Sequence, residues 1–243
     1  MVKRAMDITL ATAGLLLLSP ILIIVSFIVF LQDFHNPLYI APRVGKQRKM
    51  FKMVKLRSMI ISADKSDVDS TASDDKRITW IGHFIRKIKL DETTQLWNVL
   101  VGDMSLVGPR PNVERDVAVY TEEELHLLDV RPGITDFSSI IFSDESDILK
   151  GSLNPDLDYS QLIRPWKSRL GLFYINKRSI WIDIQLMFLT VVTIISKSRS
   201  IRSINKILIK SSADEQLVSV SLRDGLLYPH PPPGSNNIVT SRN

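Results

Sequence analysis

Apolar positions follow one another without a charged residue over one long stretch near the start of the chain. Residues 8–31, ITLATAGLLLLSPILIIVSFIVFL, exceed the roughly 20 apolar residues that suffice to cross a bilayer core. The run is too long for the apolar part of a secretory signal, and no A-x-A cleavage site follows it. The pattern therefore predicts a membrane segment within residues 1–34.

Two features of this segment favour a helix that enters and leaves the bilayer on the same side. Pro20 has no N–H, so the carbonyl of Leu16 loses its helical partner and the helix bends, while the Ser19 hydroxyl can satisfy the freed group. Basic residues at positions 3–4 and 43–57 flank the run, and the positive-inside rule keeps both flanks cytoplasmic. Proline is also common in ordinary spans, so the residues alone leave both a re-entrant helix-break-helix and a simple crossing open.

The pattern downstream changes from alternation to helical spacing. The region 36–61 predicts short strands around a Gly-Lys turn, and 78–90 predicts a helix with isoleucines on one face. The fold class that follows is α+β and mostly helical. The other predictions are a surface loop (62–77), a second helix (92–101), a polar helix (112–130), a turn at RPGIT (131–135) and an irregular acidic stretch (144–160).

A second apolar element, 179–195, is interrupted by Asp183 and is too short to span a bilayer. It predicts either a core helix or a helix lying in the membrane interface, and the pattern does not separate the two. Five lysines and arginines at positions 197–210 follow it and suit anionic headgroups. Residues 211–243, which end in YPHPPPGSNNIVTSRN, predict a disordered tail.

Composition narrows the chemistry. The formal net charge of +5 suggests an anionic partner, which could be nucleic acid, an anionic membrane or a phosphorylated substrate. The chain has no Cys, which excludes disulfides, thiolate nucleophiles and cysteine-based zinc sites. The four His residues are scattered and form no metal-binding pair.

The stretch KLDETTQLWNVL, residues 89–100, places Asp91 and Glu92 at the predicted start of a helix in a basic setting. One interpretation is structural: Asp91 caps the helix, and Glu92 is a first-turn acid favoured by the dipole. The other is phosphate chemistry, because a helix N-terminus suits phosphate and positive neighbours favour an ionised carboxylate. A carboxylate can attack phosphorus, and a neighbouring one can bind Mg²⁺. The cations that could neutralise a diphosphate, each of which also fits a solvated surface charge, are Lys55, Arg57, Arg86 and Arg110.

Three sequence blocks carry a resemblance to a known family. VKLRSM (54–59), DDKRITWIGHFIRKIKLDETTQLWNVLVGDMSLVGPRP (74–111) and RPGIT (131–135) resemble, in order and spacing, the bacterial sugar transferases known as monotopic phosphoglycosyl transferases. The resemblance covers about residues 1–195. Leu56, Thr94 and the DFSSI that follows RPGIT depart from the family pattern, and the last departure leaves the identity of the sugar open.

The resemblance implies an enzyme that uses Mg²⁺ and moves a phosphosugar from a UDP-sugar to polyprenyl (undecaprenyl) phosphate. Asp91 would be the nucleophile that releases UMP and holds the phosphosugar covalently, and Glu92 its partner acid, with both as metal ligands. The residues expected around the substrate phosphates are Lys55, Arg57, Arg86, Arg110 and Asp183. A catalytically silent relative acting as a membrane scaffold is the alternative.

The resemblance also implies a monotopic membrane protein on the cytoplasmic face of the bacterial inner membrane. Its parts would be a re-entrant anchor broken at Ser19 and Pro20 (1–34), a small catalytic domain (35–196) and a basic segment with a disordered tail (197–243). The expected partners are the two substrates and the lipid bilayer, with a second copy or later-acting glycosyltransferases as further candidates. No nucleic-acid partner is expected, because no aromatic-rich basic sheet or helix-turn-helix pattern occurs.

Overall fold

The computed structural model describes residues 1–65 and 68–241, and within them the chain is a mostly helical α+β fold. Residues 66–67 of the predicted loop and 242–243 of the predicted tail lie outside the described residues. The α-helices are α1 (Val2–Asp33), α2 (Trp80–Lys87), α3 (Leu96–Val101), α4 (Glu114–Ala118), α5 (Glu122–Leu125), α6 (Phe137–Ile141), α7 (Glu145–Ile148), α8 (Pro155–Asp158), α9 (Arg164–Lys177), α10 (Ile180–Ile195), α11 (Lys197–Lys210) and α12 (Glu215–Leu222). The strands are β1 (Leu38–Val44), β2 (Met50–Leu56), β3 (Ser105–Val107) and β4 (Gly133–Thr135). Short 3-10 helices cover Lys46–Arg48, Ala63–Lys65, Leu90–Gln95 and His126–Asp129, and a π-helical turn covers Tyr159–Ile163.

Helix α1 stays helical through Pro20, so the predicted break in the helix is not confirmed. The Ser19 hydroxyl donates to the carbonyl of Leu16 over 2.9 Å, as predicted for the acceptor that Pro20 leaves without a partner. Among the described residues, α1 is the one helix long and apolar enough to cross a membrane.

The two ends of α1 are fastened to the rest of the molecule. At its start, the Lys3 ammonium lies 2.5 Å from the Asp183 carboxylate. At its end, Asp33 accepts two hydrogen bonds from the Arg57 guanidinium. Between these contacts, large apolar side chains such as Leu17, which is 80% exposed, face outward. A helix of 32 residues is about 48 Å long. This long apolar helix is attached to the rest of the molecule at both of its ends.

The short strands predicted around the Gly-Lys turn are confirmed as β1 and β2, which pair antiparallel with Leu38 opposite Leu56 and Val44 opposite Met50. Helix α2 confirms the isoleucine periodicity, since it buries Ile81 and Ile85 in a small core that it shares with Leu56 and the second half of α1. This small core fixes the hairpin, α2 and α1 relative to one another.

The prediction of RPGIT as a turn is wrong, because its last three residues form β4, which pairs in parallel with β3. The two strands approach so closely that a Cβ atom on Gly133 would lie 2.1 Å from the Gly108 nitrogen. Glycine is required at this crossing for that reason. The close crossing fixes the backbone two residues before Arg110.

The larger core lies between α6, α9, α10 and α11 and is centred on Phe137, Leu170, Leu186 and Ile204. Helix α10 confirms the core interpretation of the second apolar element on one side, whereas the membrane-interface interpretation stays a prediction. It buries Leu186 on the inner side and leaves apolar side chains exposed on the outer side.

Three predicted stretches have more structure than expected. The polar helix 112–130 is divided, because Thr121 and Glu124 form a capping box that starts α5 as a separate helix. The irregular stretch 144–160 contains α7 and α8. The tail 211–243 includes α12, and beyond it the His230 ring stacks on the Trp166 ring with centroids 4.4 Å apart. The expected disorder of the tail is therefore not what the described residues show.

Candidate active site

Asp91 and Glu92 lie in the first turn of the 3-10 helix Leu90–Gln95, which runs directly into α3. Lys89, which precedes the turn, has a left-handed backbone with φ 55° and occupies the capping position. No side-chain cap bond forms there, so the structural interpretation of Asp91 as a helix cap is not observed. The acidic pair needs another explanation.

Hydrogen bonds attach this turn to strand β2. The Thr94 hydroxyl donates to the Val54 carbonyl over 3.0 Å, and the Val54 N–H donates to the Asn98 side chain over 3.0 Å. The Asn98 amide in turn donates to the Lys52 carbonyl over 2.7 Å. Thr94, a departure from the family pattern, thus helps to hold the acidic turn beside the strand that carries Lys55.

The Glu92 carboxylate is clamped by cations. Both terminal nitrogens of Arg110 donate to it, one to each oxygen, and the Lys55 ammonium lies 3.6 Å from one oxygen. Burial alone would raise the pKa of Glu92, but Arg110 and Lys55 together hold that pKa well below its usual value. Glu92 is therefore a fixed anion whose partners are already in place.

The Asp91 carboxylate differs from its neighbour. It is buried, at 7% exposure, and within the described part of the chain it makes no hydrogen bond or ion pair. Burial and the Glu92 charge raise the pKa of Asp91 against the opposing effect of Lys55, Arg86 and Arg110. The positive neighbours do favour the ionised form, as predicted, but burial and then the Glu92 charge outweigh them, so that the pKa of Asp91 lies above its usual value.

The other predicted site residues fall into two groups. Arg86 lies close enough to Asp91 to lower its pKa, and its guanidinium makes no ion pair with a described residue. Arg57 and Asp183 instead hold the two ends of α1, through Asp33 and Lys3. The structure thus brings together Lys55, Arg86, Asp91, Glu92 and Arg110. The phosphate-binding roles of Arg57 and Asp183 stay predictions.

Residues that the sequence did not indicate adjoin this cluster. The Lys167 ammonium lies 2.6 Å from the Glu145 carboxylate and 5.3 Å from the centre of the Tyr159 ring. Burial would raise the pKa of Glu145, but Lys167 and, with a smaller effect, Arg110 lower it. Glu145 lies in the stretch predicted to be irregular, where no motif marked it. It extends the charged cluster from α3 towards α9.

A Mg²⁺ ion fits this site in a limited way. The described residues contain no group of three or more acidic, His or Cys side chains that could enclose a metal. Mg²⁺ usually takes only one or two protein carboxylates, together with substrate phosphates and water. Asp91 and Glu92 supply that number, and the free oxygens of Asp91 are available to an ion that arrives with a diphosphate.

Comparisons with known proteins show which family the chain resembles. A family model described as bacterial sugar transferase matches residues 1–197. An undecaprenyl-phosphate glucose phosphotransferase of Komagataeibacter xylinus is 37% identical over 198 residues, 78% of this chain and 35% of the relative. A UDP-glucose:undecaprenyl-phosphate glucose-1-phosphate transferase of Escherichia coli (strain K12) is 35% identical over 202 residues, with 79% and 39% covered.

A third relative, an undecaprenyl-phosphate galactose phosphotransferase of Salmonella typhimurium, is 32% identical over 203 residues, with 77% of this chain and 39% of the relative covered. The match thus spans about two fifths of the length of these three relatives. All three names contain undecaprenyl phosphate, and two name glucose whereas the third names galactose.

Proposed function

Because the chain belongs to the bacterial sugar transferase family, we propose that it moves a phosphosugar from a UDP-sugar to polyprenyl phosphate and releases UMP. The product is a polyprenyl-diphosphate-sugar, the first lipid-linked intermediate of a glycan. The observation that carries the proposal is the contrast between Glu92, which is bound by Arg110, and Asp91, which is buried beside it and whose carboxylate has no partner among the described residues. The unengaged carboxylate is the group free to react.

The proposed reaction has two displacements at one phosphorus atom. An Asp91 oxygen attacks the sugar-bearing phosphorus, the bond from that phosphorus to the UMP oxygen breaks, and UMP leaves with the electron pair. A phosphate oxygen of the polyprenyl acceptor then attacks the same phosphorus and frees the Asp91 carboxylate. Each step breaks one phosphorus–oxygen bond and forms another, so no further reactant is needed.

The surrounding cations match the charge of the donor. Arg86 makes no ion pair within the described chain and can bind a phosphate with its planar fork. Lys55 and Arg110 hold Glu92 and also bring positive charge to the diphosphate. Mg²⁺ bound at Asp91 and Glu92 would neutralise part of the diphosphate charge. Binding and orientation are thus assigned to the basic residues and bond formation to Asp91.

The same proposal places the site at the level of the lipid headgroups on the cytoplasmic side of the inner membrane. The supporting observation is that one domain holds both ends of α1, through Asp183 at the start and Arg57 at the end. A simple crossing would put these ends on opposite sides of the bilayer. A shallow, re-entrant α1 keeps them on one side and brings a soluble donor to a membrane-embedded acceptor.

This placement can be tested by cysteine labelling, since the chain has no native Cys. Ala5 and His35 are exposed residues near the two ends of α1. In inverted inner-membrane vesicles, whose cytoplasmic side faces outward, A5C and H35C should both react with a membrane-impermeant maleimide. In intact spheroplasts neither should react. Labelling of one position from each side would establish a crossing and contradict the proposal.

The activity is tested with the full chain in nanodiscs and a panel of UDP-sugars. Without acceptor, the correct donor should release UMP in a burst limited to about one per enzyme and leave a phosphosugar on Asp91, detectable by mass spectrometry. Undecaprenyl phosphate should convert the burst into turnover. D91N should abolish burst, adduct and turnover.

The matched control is D129N, at an exposed aspartate on the surface, which should behave as the unaltered chain. UMP that appears only once acceptor is bound, with no adduct on the protein, would contradict the covalent step. Failure of all UDP-sugars with either protein would support the silent scaffold instead.

A further inference from the structure

Helix α11, almost all of which lies beyond the part of the chain that matches the family, carries a one-sided array of positive charge. Its sequence, KSRSIRSINKILIK, contains no acidic residue. Lys197 pairs with Asp144. The four other cations are exposed, make no hydrogen bond or ion pair with the described residues, and follow one face of the helix. These four, which we name the basic ridge, are Arg199, Arg202, Lys206 and Lys210.

The opposite face of α11 is fixed in the core. Ile201, Ile204 and Leu208 are buried, and the Asn205 amide donates to the Val218 carbonyl of α12 over 2.8 Å. These contacts fix the rotation of α11 about its axis, so the basic ridge faces away from the core.

The neighbouring helix α10 presents an apolar outer face. Its exposed side chains fall three to four residues apart, on one side of the helix, and are 67, 43, 67, 59 and 82% exposed at Trp181, Ile184, Phe188, Val191 and Ile195, respectively. Helices α10 and α11 are separated only by Ser196 and pack against each other, and both also pack against α6. An apolar face beside a basic one, with aromatic side chains in the apolar part, is typical of surfaces that lie in the membrane interface.

We propose that the outer faces of α10 and α11 form a second contact with the bilayer, in which the basic ridge binds the headgroups of anionic phospholipids. Continuity with α1 favours a bilayer over a protein or nucleic acid as the occupant. The salt bridge from Lys3 joins the start of α1 to Asp183 in the first turn of α10, so the apolar face of α10 begins where the membrane helix begins. This contact goes beyond sugar transfer, since it uses no residue of the charged site.

The energetics indicate a measurable contact. Each lysine or arginine close to an anionic surface strengthens association by roughly fivefold, and the four act on one face of one helix. The attraction is screened by salt over about 10 Å at 0.1 M, so it should weaken as salt is added. The apolar side chains of α10 make a contribution that salt does not remove.

The test uses the full chain, reconstituted in vesicles of phosphatidylcholine alone or mixed with phosphatidylglycerol. A fluorophore is attached at S198C, an exposed position of α11 in a chain without native Cys. A trace lipid with a nitroxide on its headgroup quenches the fluorophore only at close approach. We expect strong quenching in the mixed vesicles, reduced quenching at high salt and weaker quenching in phosphatidylcholine.

The decisive variant, in the S198C background, is R199Q/R202Q/K206Q/K210Q, which should reduce quenching in mixed vesicles to the phosphatidylcholine level. Its matched control, K46Q/R48Q/K49Q/K52Q, removes the same charge from exposed residues of the β1–β2 hairpin and should leave quenching unchanged. Circular dichroism checks that both variants fold.

Two results would overturn the proposal: quenching that is equal in both lipids and both variants, or its absence throughout. Since the readout involves no catalysis, an inactive enzyme that still docks would separate this proposal from that of the transferase activity.

Discussion

Two arginine–glutamate pairs in this fold, Arg164 with Glu124 and Arg110 with Glu92, differ in whether the polar groups around them have hydrogen-bond partners. Glu124 accepts bonds from two nitrogens of Arg164, from the Ser168 hydroxyl at 2.6 Å and from the Thr121 N–H at 3.1 Å. Arg164 also donates to the Val119 carbonyl over 2.8 Å. Each carboxylate oxygen of Glu124 therefore accepts two hydrogen bonds, and Glu124 is 0% exposed.

The pair of Glu92 and Arg110 has the same chemistry and a different setting. Both side chains are partly exposed, at 17% and 28%, and the adjacent Asp91 is buried with no partner among the described residues. A saturated buried pair holds helices together, whereas a pair beside an unsaturated carboxylate leaves binding capacity for a ligand. The two pairs contain the same two residue types. What distinguishes the structural pair, Arg164 and Glu124, from the proposed functional pair, Arg110 and Glu92, is whether the neighbouring polar groups have hydrogen-bond partners.

The largest effect on folding is expected from R164M. It would leave the Glu124 charge buried without its partner, which costs about 3–5 kcal/mol of the free energy of unfolding. Chemical denaturation followed by circular dichroism measures this loss, and activity per folded molecule should be kept. As a control, R115M breaks a pair in which Arg115 is 50% exposed and should cost less than about 1 kcal/mol. Lost activity with unchanged stability in R164M would show that the architectural assignment is mistaken.

The converse is expected from R110M. The free energy of unfolding should change by no more than about 1 kcal/mol, because Lys55 and solvent remain partners of Glu92. The value of kcat/KM for UMP release should fall by about 10²-fold or more, since a cation at the diphosphate is lost. R110K keeps the charge without the planar fork and should be intermediate. If R110M is destabilised as much as R164M, the contrast between the two pairs disappears.

The smallest expected effect is a shift in the pH profile. In the proposed reaction Asp91 would attack as an anion, and its pKa is raised, mainly by burial, so kcat/KM should rise with pH through that pKa. R86M removes a cation that lowers the pKa of Asp91, so the acid limb should move to higher pH. K150M, at an exposed lysine, should leave it in place. If the acid limb of the kcat/KM profile stays at the same pH in R86M, the limb reports the titration of a group other than Asp91.

Stability has the opposite dependence on pH at the two acids. The lowered pKa of Glu92 contributes stability above its unfolded pKa, and this is lost as pH falls through the folded pKa. The raised pKa of Asp91 means that its ionisation costs stability as pH rises from the unfolded pKa through the folded one. Circular dichroism at each pH therefore has to accompany the rate profile, so that loss of fold is not read as titration of the nucleophile.

The sequence predicted the parts of the fold that depend on local pattern. Isoleucine spacing placed α2, alternation placed the β1–β2 hairpin, and the Pro20 rule predicted the hydrogen bond from Ser19 to the Leu16 carbonyl. The cluster of Lys55, Arg86, Asp91, Glu92 and Arg110 came from motifs, and motifs specify residue identity but not pairing.

Local sequence patterns could not identify side-chain partners that are distant in the sequence. Arg57 was grouped with the phosphate-facing cations because it shares a motif with Lys55, yet its partner Asp33 lies 24 positions earlier in α1. Asp183 accepts a hydrogen bond from the nearby Tyr174 hydroxyl, but its charged partner, Lys3, lies 180 positions away. The division of the predicted helix 112–130, by contrast, could be predicted from the sequence. The T-x-x-E signature of Thr121 and Glu124 marks the start of α5. The spacing of Ile201, Ile204 and Leu208 in the sequence likewise indicates that one face of α11 is buried.

The attachment of α1 at both of its ends has a consequence for motion during turnover. A domain joined to its anchor at one point can tilt and swivel, whereas one joined at Lys3 and again at Asp33 keeps a constant orientation. Under the proposed function, the Asp91 carboxylate would then stay at one depth relative to the bilayer throughout the cycle. Lateral diffusion of the prenyl carrier, rather than swinging of the protein, would bring acceptor and phosphosugar together.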